Sequence, residues 1–159
     1  DKLGDERITT EKLEEAATLA LCWSRAWAGG GAHGTVYSVK PAQVSKTAQT
    51  GEYVGKGSFI VRGQRQWFKD LDVQIGIGIV AINGVPLLMG GMPETIRSIC
   101  QRFAILRPGL TKKEQLANRI YKNTGLMTDD VLPVLPGAAE IIEDYGIFSP
   151  VKTNNSEEE

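Results

Sequence analysis

Apolar and polar positions in the first quarter of the chain change from a helical to an extended period. Apolar residues spaced three and four apart predict a mostly buried helix over about residues 10–27. Thr9 or Thr10 provides a side-chain cap for its first turn. The glycine-rich residues 28–34 then end the helix, and the alternating, β-branched run 35–39 predicts a strand.

Two apolar runs in the middle of the chain flank a turn dipeptide. Residues 73–82 and 85–89 lie on either side of Asn83-Gly84. Both positions of a two-residue hairpin turn need positive φ, which asparagine and glycine adopt most readily. We therefore expect an antiparallel hairpin at this point. Shorter extended segments are expected upstream, at 58–62 and 66–68.

The last third of the chain predicts two more helices among short strands. Pro93 suits the first turn of a helix that runs to about residue 102. Thr111 and Glu114 have capping-box spacing for a helix over 112–124, which Gly125 would end. Further extended segments are expected at 103–106, which ends before Pro108-Gly109, at 131–135 and at 139–142.

These elements predict an α+β fold, with a mixed, largely antiparallel sheet and about three helices in a single domain. We place that domain over residues 1–148 and an acidic disordered tail over residues 149–159. No apolar run reaches the roughly 18 residues of a membrane span, and no leader opens the chain. We therefore expect a cytoplasmic protein with no membrane partner.

Few residues offer catalytic or metal-binding chemistry. Cys22 and Cys100 have no second cysteine or histidine at ligand spacing, so we expect buried reduced thiols and no metal site. His33, the single histidine, is expected to be an exposed loop residue rather than a base. Gly76 and Gly78 lack the third glycine of a dinucleotide fingerprint. The sequence therefore predicts no catalytic residues, no cofactor and no enzymatic activity.

The net charge of −1 conceals an uneven distribution along the chain. Residues 35–125 hold 13 Lys/Arg against 5 Asp/Glu, whereas residues 126–159 hold one lysine against 8 acids. A basic middle predicts an electrostatic footprint for an anionic partner. The alternative is that these charges scatter over an ordinary solvated surface.

The segment from Gln43 to Phe68 combines hydroxyls, glycines, spaced cations and aromatics, which suits an RNA-facing surface better than a core. Cations and hydroxyls bind phosphate and ribose oxygens, and aromatic rings, Phe68 among them, stack on unpaired bases. The alternative is a solvated sheet face with the aromatic rings in the core. We predict that the RNA-binding residues are Lys40, Gln43, Ser45, Lys46, Thr47, Thr50, Tyr53, Lys56, Arg62, Arg65 and Trp67.

A second cationic group lies further along the chain, partly on the helix predicted over 112–124. A helix of this kind is more often a solvated face than a binding element. Its members are Arg97, Arg102, Arg107, Lys112, Lys113, Arg119 and Lys122.

The run QVSKTAQTGEY (43–53), followed by KGSFIVRGQR (56–65), resembles the hallmark of the NFACT-R domain, the RNA-binding-type domain of the NEMF and RqcH family. The resemblance covers most of residues 9–145. Members of the family carry an acidic–aromatic–His motif on strands upstream of the hallmark, which this chain does not match. The resemblance therefore implies the C-terminal part of the domain. Likenesses to archaeal members lie at 39–43, 87–96, 107–109 and 135–137.

The resemblance also implies a function. Full-length members bind stalled large ribosomal subunits and recruit tRNA to extend the nascent chain. This chain would then be a module that contacts tRNA or rRNA, with the large subunit and the remaining domains of a longer protein as partners. Two alternatives stay open. One is part of an RNA-modifying enzyme that needs an absent upstream half, and the other is a protein-interaction module of the fibronectin-binding-like type.

Overall fold

The first helix, α1, covers Thr10–Cys22 in the computed structural model, which describes residues 8–152. Thr9 caps it as predicted, because its hydroxyl accepts a hydrogen bond from the backbone N–H of Lys12 at 3.3 Å. The buried residues of the helix all lie in its C-terminal half, so the prediction of a mostly buried helix was wrong.

The predicted end of α1 at residue 27 was also wrong, since the helix stops at Cys22. Ser24 donates its hydroxyl to the carbonyl oxygen of Leu21 at 2.7 Å and accepts from the N–H of Ala26 at 3.1 Å. This local side-chain bonding replaces the next helical turn. The buried Trp27 then opens a short 3₁₀ turn, Trp27–Gly29.

A two-stranded antiparallel sheet follows, formed by β1 (His33–Ser38) and a later strand, β4 (Gln66–Asp72). His33 is therefore the first residue of a strand, and its predicted place in a loop was wrong. The sheet is bulged between Gly34 and Val36, where the register shifts, and Asp70 has a φ of 55°. The inner face of the sheet packs on α1.

Two very short strands lie between β1 and β4. A 3₁₀ turn, Pro41–Gln43, leads into β2 (Val44–Ser45), which pairs antiparallel with β3 (Ile60–Val61). The pairing closes a loop over residues 46–59. The sequence predicted an extended region around β3 but not the strand β2.

A four-stranded antiparallel sheet forms the second half, in the order β6-β5-β7-β8. The predicted hairpin between its first two strands is confirmed, with Asn83 at φ 51° and Gly84 at φ 76° in the turn. Its strands are β5 (Ile75–Ile82), β6 (Val85–Gly91), β7 (Phe103–Thr111) and β8 (Ala139–Tyr145).

Helix α2, Pro93–Ile99, lies close against β5 because that strand has glycines at the contact. A Cβ added at Gly76 would lie 2.7 Å from Cβ of Ile96, and one at Gly78 would lie 2.5 Å from Sγ of Cys100. The absence of a side chain at these two glycines therefore allows the close packing. The helix ends three residues earlier than predicted, at Ile99.

Strand β7 continues through Pro108-Gly109, so its predicted end before this pair was wrong. Only residues 103–106 of β7 pair with β5, while the rest of the strand pairs with β8 alone. A proline is tolerated there because one side of the strand needs no N–H donor. Gly109 allows the backbones to approach, since a Cβ would lie 2.5 Å from the amide nitrogen of Glu140.

Helix α3, Lys113–Thr124, ends as predicted at Gly125, which has a φ of 78°. The predicted capping box was wrong, because Thr111 belongs to β7 and Lys112 is the N-cap, without a side-chain cap. The extended segment predicted over 131–135 was wrong as well. That stretch contains the end of α4 (Thr128–Val131) and a 3₁₀ turn, Leu132–Val134.

The core joins α1, the inner faces of the sheets and α3, which confirms the α+β fold class with antiparallel pairing. Two tryptophans near the end of α1 are bonded to residues late in the chain. The indole N–H of Trp23 donates to the carbonyl of Val134 at 3.1 Å, and the indole N–H of Trp27 donates to the carbonyl of Ala138 at 2.8 Å. Among the described residues no helix is long and apolar enough to cross a membrane. The acidic tail predicted over 149–159 falls largely outside the described residues.

Candidate nucleic-acid interface

Gln43 holds together the segment that contains the predicted RNA-binding residues, residues 40–67, here called the basic segment. Its side-chain oxygen accepts from the N–H of Lys40 at 2.9 Å, and its side-chain nitrogen donates to the carbonyls of Arg62 and Gln64 at 2.8 and 2.7 Å. These three bonds use both N–H donors of the Gln43 amide and one of the two lone pairs on its oxygen. The structure thus gives Gln43 a positioning role within the segment.

Short-range bonds shape the loop over residues 46–59. The hydroxyl of Ser45 accepts from the N–H of Thr47 at 3.0 Å, which turns the chain sharply at the base of the loop. At the far side Glu52 accepts from the N–H of Gln49 at 2.9 Å and from the guanidinium of Arg62 at 2.5 Å. The single carboxylate of the loop is therefore committed to holding it.

These contacts lower the pKa of Glu52. The largest cause is the hydrogen bond from the backbone N–H of Gln49, and the positive charge and hydrogen bond of Arg62 act in the same direction. Glu52 therefore stays ionised to a lower pH than an unperturbed glutamate. Its charge offsets that of Arg62, which lies partly inside the structure.

The remaining cations of the basic segment lack an acidic partner among residues 8–152. Arg62 forms the segment's one ion pair there, whereas Lys40, Lys46, Lys56 and Arg65 form none. All four are exposed. An exposed, uncompensated cation can exchange its counterions for a phosphate, which is the chief source of affinity for nucleic acids.

Two of these cations lie on aromatic rings. Lys46 Nζ is 5.2 Å from the ring centre of Phe59, and the guanidinium carbon of Arg65 is 4.8 Å from the ring centre of Tyr37. Such contacts orient a long side chain without neutralising its charge. The aromatic rings thus orient Lys46 and Arg65, and both side chains keep a charge that can bind an anion.

A broad open groove of about 770 Å³ runs beside these residues. Lys40 and Arg65 line it, together with the polar side chains of Ser38, Gln64 and Gln66. The groove is wide and shallow, so it suits an extended polyanion better than a small molecule.

The aromatic residues divide between surface and core. Trp67 is 51% exposed, Tyr53 is 93% exposed, and Phe68 is buried. The prediction that Phe68 stacks on a base was therefore wrong, because Phe68 pairs with Val36 and packs into the core. Trp67 instead faces Tyr37 across the sheet, with ring centroids 5.1 Å apart and ring planes at 63°.

Three arginines of the second cationic group are used inside the fold. Arg97 pairs with Glu94 and Glu143, and Arg107 pairs with Glu140 at 3.0 Å. The guanidinium of Arg102 donates twice to the carbonyl of a buried glycine, at 2.9 and 2.7 Å. Arg97 thus joins α2 to β8, Arg107 joins β7 to β8, and Arg102 binds the residue after β8, so three of the seven cations in this group are committed to structure.

The two thiols and the imidazole lie outside the basic segment. Burial raises the pKa of the Cys22 thiol to about 11 and also raises the pKa of Cys100. Both cysteines are free and buried, as predicted. Nδ1 of His33 lies 3.0 Å from a carboxylate oxygen of Asp72 on an exposed strand. Residues 8–152 contain no group of three or more side chains arranged to hold a metal ion.

The sequence interpretation missed Tyr37 and Phe59, which support Arg65 and Lys46. Tyr37 was identifiable in part, because alternation along β1 places it on the face opposite Val36. Its pairing with Trp67 was not, since the two residues are joined only by the sheet. The structure brings Lys40, Gln43, Arg62 and Arg65 together, while Tyr53 and Lys56 lie out along the loop.

Comparison with known proteins gives a consistent set of similarities. Residues 2–63 match the NFACT protein RNA binding domain. The archaeal Rqc2 homolog aRqcH of Methanocaldococcus jannaschii is 32% identical over 146 residues, which are 89% of this chain and 22% of that protein. The ribosome quality control complex subunit NEMF of Homo sapiens and of Mus musculus is 39% identical over 75 residues, 47% of this chain and 7% of each protein.

The chain thus spans about a fifth of the length of its archaeal relative and less of the animal proteins. No solved structure matches it significantly.

Proposed function

Because the chain belongs to the NFACT-R family of NEMF and RqcH ribosome quality control factors, we propose that it is the RNA-contacting module of such a factor and binds tRNA or rRNA on a stalled large ribosomal subunit. The basic segment is the proposed contact surface. The large subunit and the remaining domains of a longer protein are the proposed partners, and the cytoplasm is the proposed location.

One observation carries this proposal: two sets of cations in the same chain are used differently. The arginines at 97, 102 and 107 are satisfied by carboxylates or a carbonyl of the fold. Lys40, Lys46, Lys56 and Arg65 are exposed, and no carboxylate among residues 8–152 pairs with them. The unpaired cations are available to hold phosphates, whereas the three arginines are already engaged.

The module acts by binding rather than by catalysis. Both thiols are buried, and the histidine is tied to Asp72 outside the basic segment's loop. General acid–base or nucleophilic work needs such groups within reach of the substrate. The contacts at the basic segment are those of a surface that positions RNA.

The proposal is tested with the whole chain and a labelled deacylated tRNA in fluorescence anisotropy at several salt concentrations. Replacement of Lys40, Lys46 and Lys56 by alanine should weaken binding and reduce the slope of log K against log salt by about 0.9 for each phosphate that is no longer bound, and by less where the RNA is single-stranded. These side chains are exposed, so the unfolding temperature should not change.

The matched control replaces Lys112, Lys113 and Lys122 by alanine, which removes the same charge from α3. It should retain most of the affinity and of the salt slope. Equal losses in both triple variants would show that net charge alone governs binding. A wild-type chain that binds neither tRNA nor rRNA at low salt would contradict the proposal itself.

A further inference from the structure

The three tryptophans of this chain differ in the use of their indole N–H groups. Those of Trp23 and Trp27 donate to backbone carbonyls, at 3.1 and 2.8 Å. The N–H of Trp67 has no acceptor among the described residues, and half of its side chain is exposed. A large aromatic ring with an unused donor at the surface is typical of binding sites.

Trp67 lies among exposed side chains that carry charge or an aromatic ring. Arg65 lies two residues before it, just ahead of β4, and Lys69 lies two residues after it, where the register of β4 with β1 shifts. Tyr37 lies directly opposite Trp67 on β1. All four side chains are exposed, and Val36 and Phe68 face inward on the same two strands. We call this set, Tyr37, Arg65, Trp67 and Lys69, the outer platform.

Contacts within the outer platform hold its rings in place. Arg65 lies 4.8 Å from the ring centre of Tyr37, and Tyr37 lies 5.1 Å from the ring centre of Trp67. The strands fix the two backbones in register across the pair. A ligand that meets these rings therefore loses little energy in ordering them.

We propose that the outer platform binds unpaired nucleotides of an RNA, with a base stacked against Trp67 and Tyr37 and the flanking phosphates held by Arg65 and Lys69. This proposal rests on the proposed RNA-binding function and assigns it a second contact beside the loop of residues 46–59. The indole N–H of Trp67 supplies one donor to the bound nucleotide.

The ligand must be single-stranded because a ring on a sheet face reaches a base only when that base has left its helix. Stacking on aromatic side chains tolerates any base, since every base has a π-face. The outer platform therefore recognises an exposed loop, bulge or end, without a preferred sequence. The loop cations alone would bind single-stranded and duplex RNA through the same phosphates.

The test compares a labelled 12-nucleotide mixed-sequence RNA with the same strand annealed to its complement, using the whole chain. Trp67→Leu should weaken binding of the single strand about 5- to 150-fold, the range expected when one stacked ring is removed. It should change duplex binding less than twofold and leave the salt slope unchanged. Trp67→Phe keeps a ring and should retain most of the single-strand affinity.

Tyr121→Leu is the matched control, since Tyr121 is an aromatic residue of similar exposure on α3. It should affect neither RNA. Equal weakening of single strand and duplex by Trp67→Leu, or no weakening of either, would overturn the platform and leave the charge-based proposal intact. If the wild-type chain binds neither RNA at low salt, the proposed function fails and the platform fails with it.

Discussion

Gln43 and Arg62 exchange two hydrogen bonds. The backbone N–H of Arg62 donates to the carbonyl of Gln43 at 2.9 Å, and the side-chain nitrogen of Gln43 donates back to the carbonyl of Arg62 at 2.8 Å. The two residues are 19 positions apart, so the exchange closes the loop that contains Lys46 and Lys56. Gln43, which the sequence suggested as an RNA contact, thus holds in place the loop that carries two of the other predicted contacts.

Gln43→Leu should lower the free energy of unfolding by about 1–3 kcal/mol, because it removes three side-chain hydrogen bonds at a half-buried site. Gln43→Glu should cost at least as much at neutral pH, since a carboxylate oxygen would face two carbonyls. Denaturant unfolding measures both effects. Gln49→Ala, at an exposed side chain, should stay within about 0.5 kcal/mol of wild type. A Gln43→Leu variant as stable as wild type would refute the positioning role.

The Glu52 carboxyl should titrate below its ordinary pKa of 4.5, because the N–H of Gln49 and the guanidinium of Arg62 favour its charged form. A group whose pKa is depressed by folding stabilises the fold above its unfolded pKa and loses that contribution as the pH falls through its folded pKa. We therefore expect the loop of residues 46–59 to loosen below about pH 4.5. The amide proton shift of Gln49, followed by NMR against pH, reports the midpoint.

Two variants separate the causes of this shift. Arg62→Gln removes the charge but leaves the backbone donor, so the midpoint should rise only part of the way to 4.5. Glu52→Gln should abolish the titration of the Gln49 amide altogether. A midpoint at or above 4.5 in the wild-type chain would contradict the contacts described.

Gly78→Ala should destabilise the fold by about 1–3 kcal/mol, because the new methyl group would lie 2.5 Å from the sulfur of Cys100 and must push α2 from β5. Denaturant unfolding measures the loss. Gly29→Ala is the matched control, since its methyl group would meet nothing within 4 Å. A Gly78→Ala variant that is no less stable than Gly29→Ala would mean that the helix is not seated on the glycines.

Neither thiol should react with a small disulfide reagent in the native chain at pH 8. Burial raises the pKa of Cys22 to about 11 and raises that of Cys100, so both remain protonated and covered. After unfolding in denaturant both should react at the rate of a free cysteine. Fast reaction of either thiol under native conditions would place it at the surface and reopen a chemical role for it.

Local chemistry made some elements predictable and tertiary context decided the others. Asn83-Gly84 and Gly125 were identified because their backbone conformations depend on the residues themselves. Residues 131–135 were wrongly expected to be extended, since a short apolar run suits a strand and a buried helical turn equally. Strand β7 passes Pro108 because a neighbouring strand is absent on one side, which no local pattern reveals.

The same division holds for the candidate site. Charge and composition located the basic segment, because a cluster of lysines and arginines is visible in any sequence. They gave no sign that the guanidinium of Arg102 donates to a backbone carbonyl. They equally gave no sign that Arg65 stays exposed over the ring of Tyr37. That distinction depends on pairings between strands and turns that are tens of residues apart, as Tyr37 and Trp67 illustrate.

The two indole hydrogen bonds that join the end of α1 to Val134 and Ala138 each connect residues 111 positions apart. At a synthesis rate of 5–20 residues per second, about 6 to 22 seconds separate each tryptophan from its acceptor. The basic segment is made within that interval, before these two hydrogen bonds can form. On its own ribosome, the segment therefore emerges well before the two ends of the core can be joined.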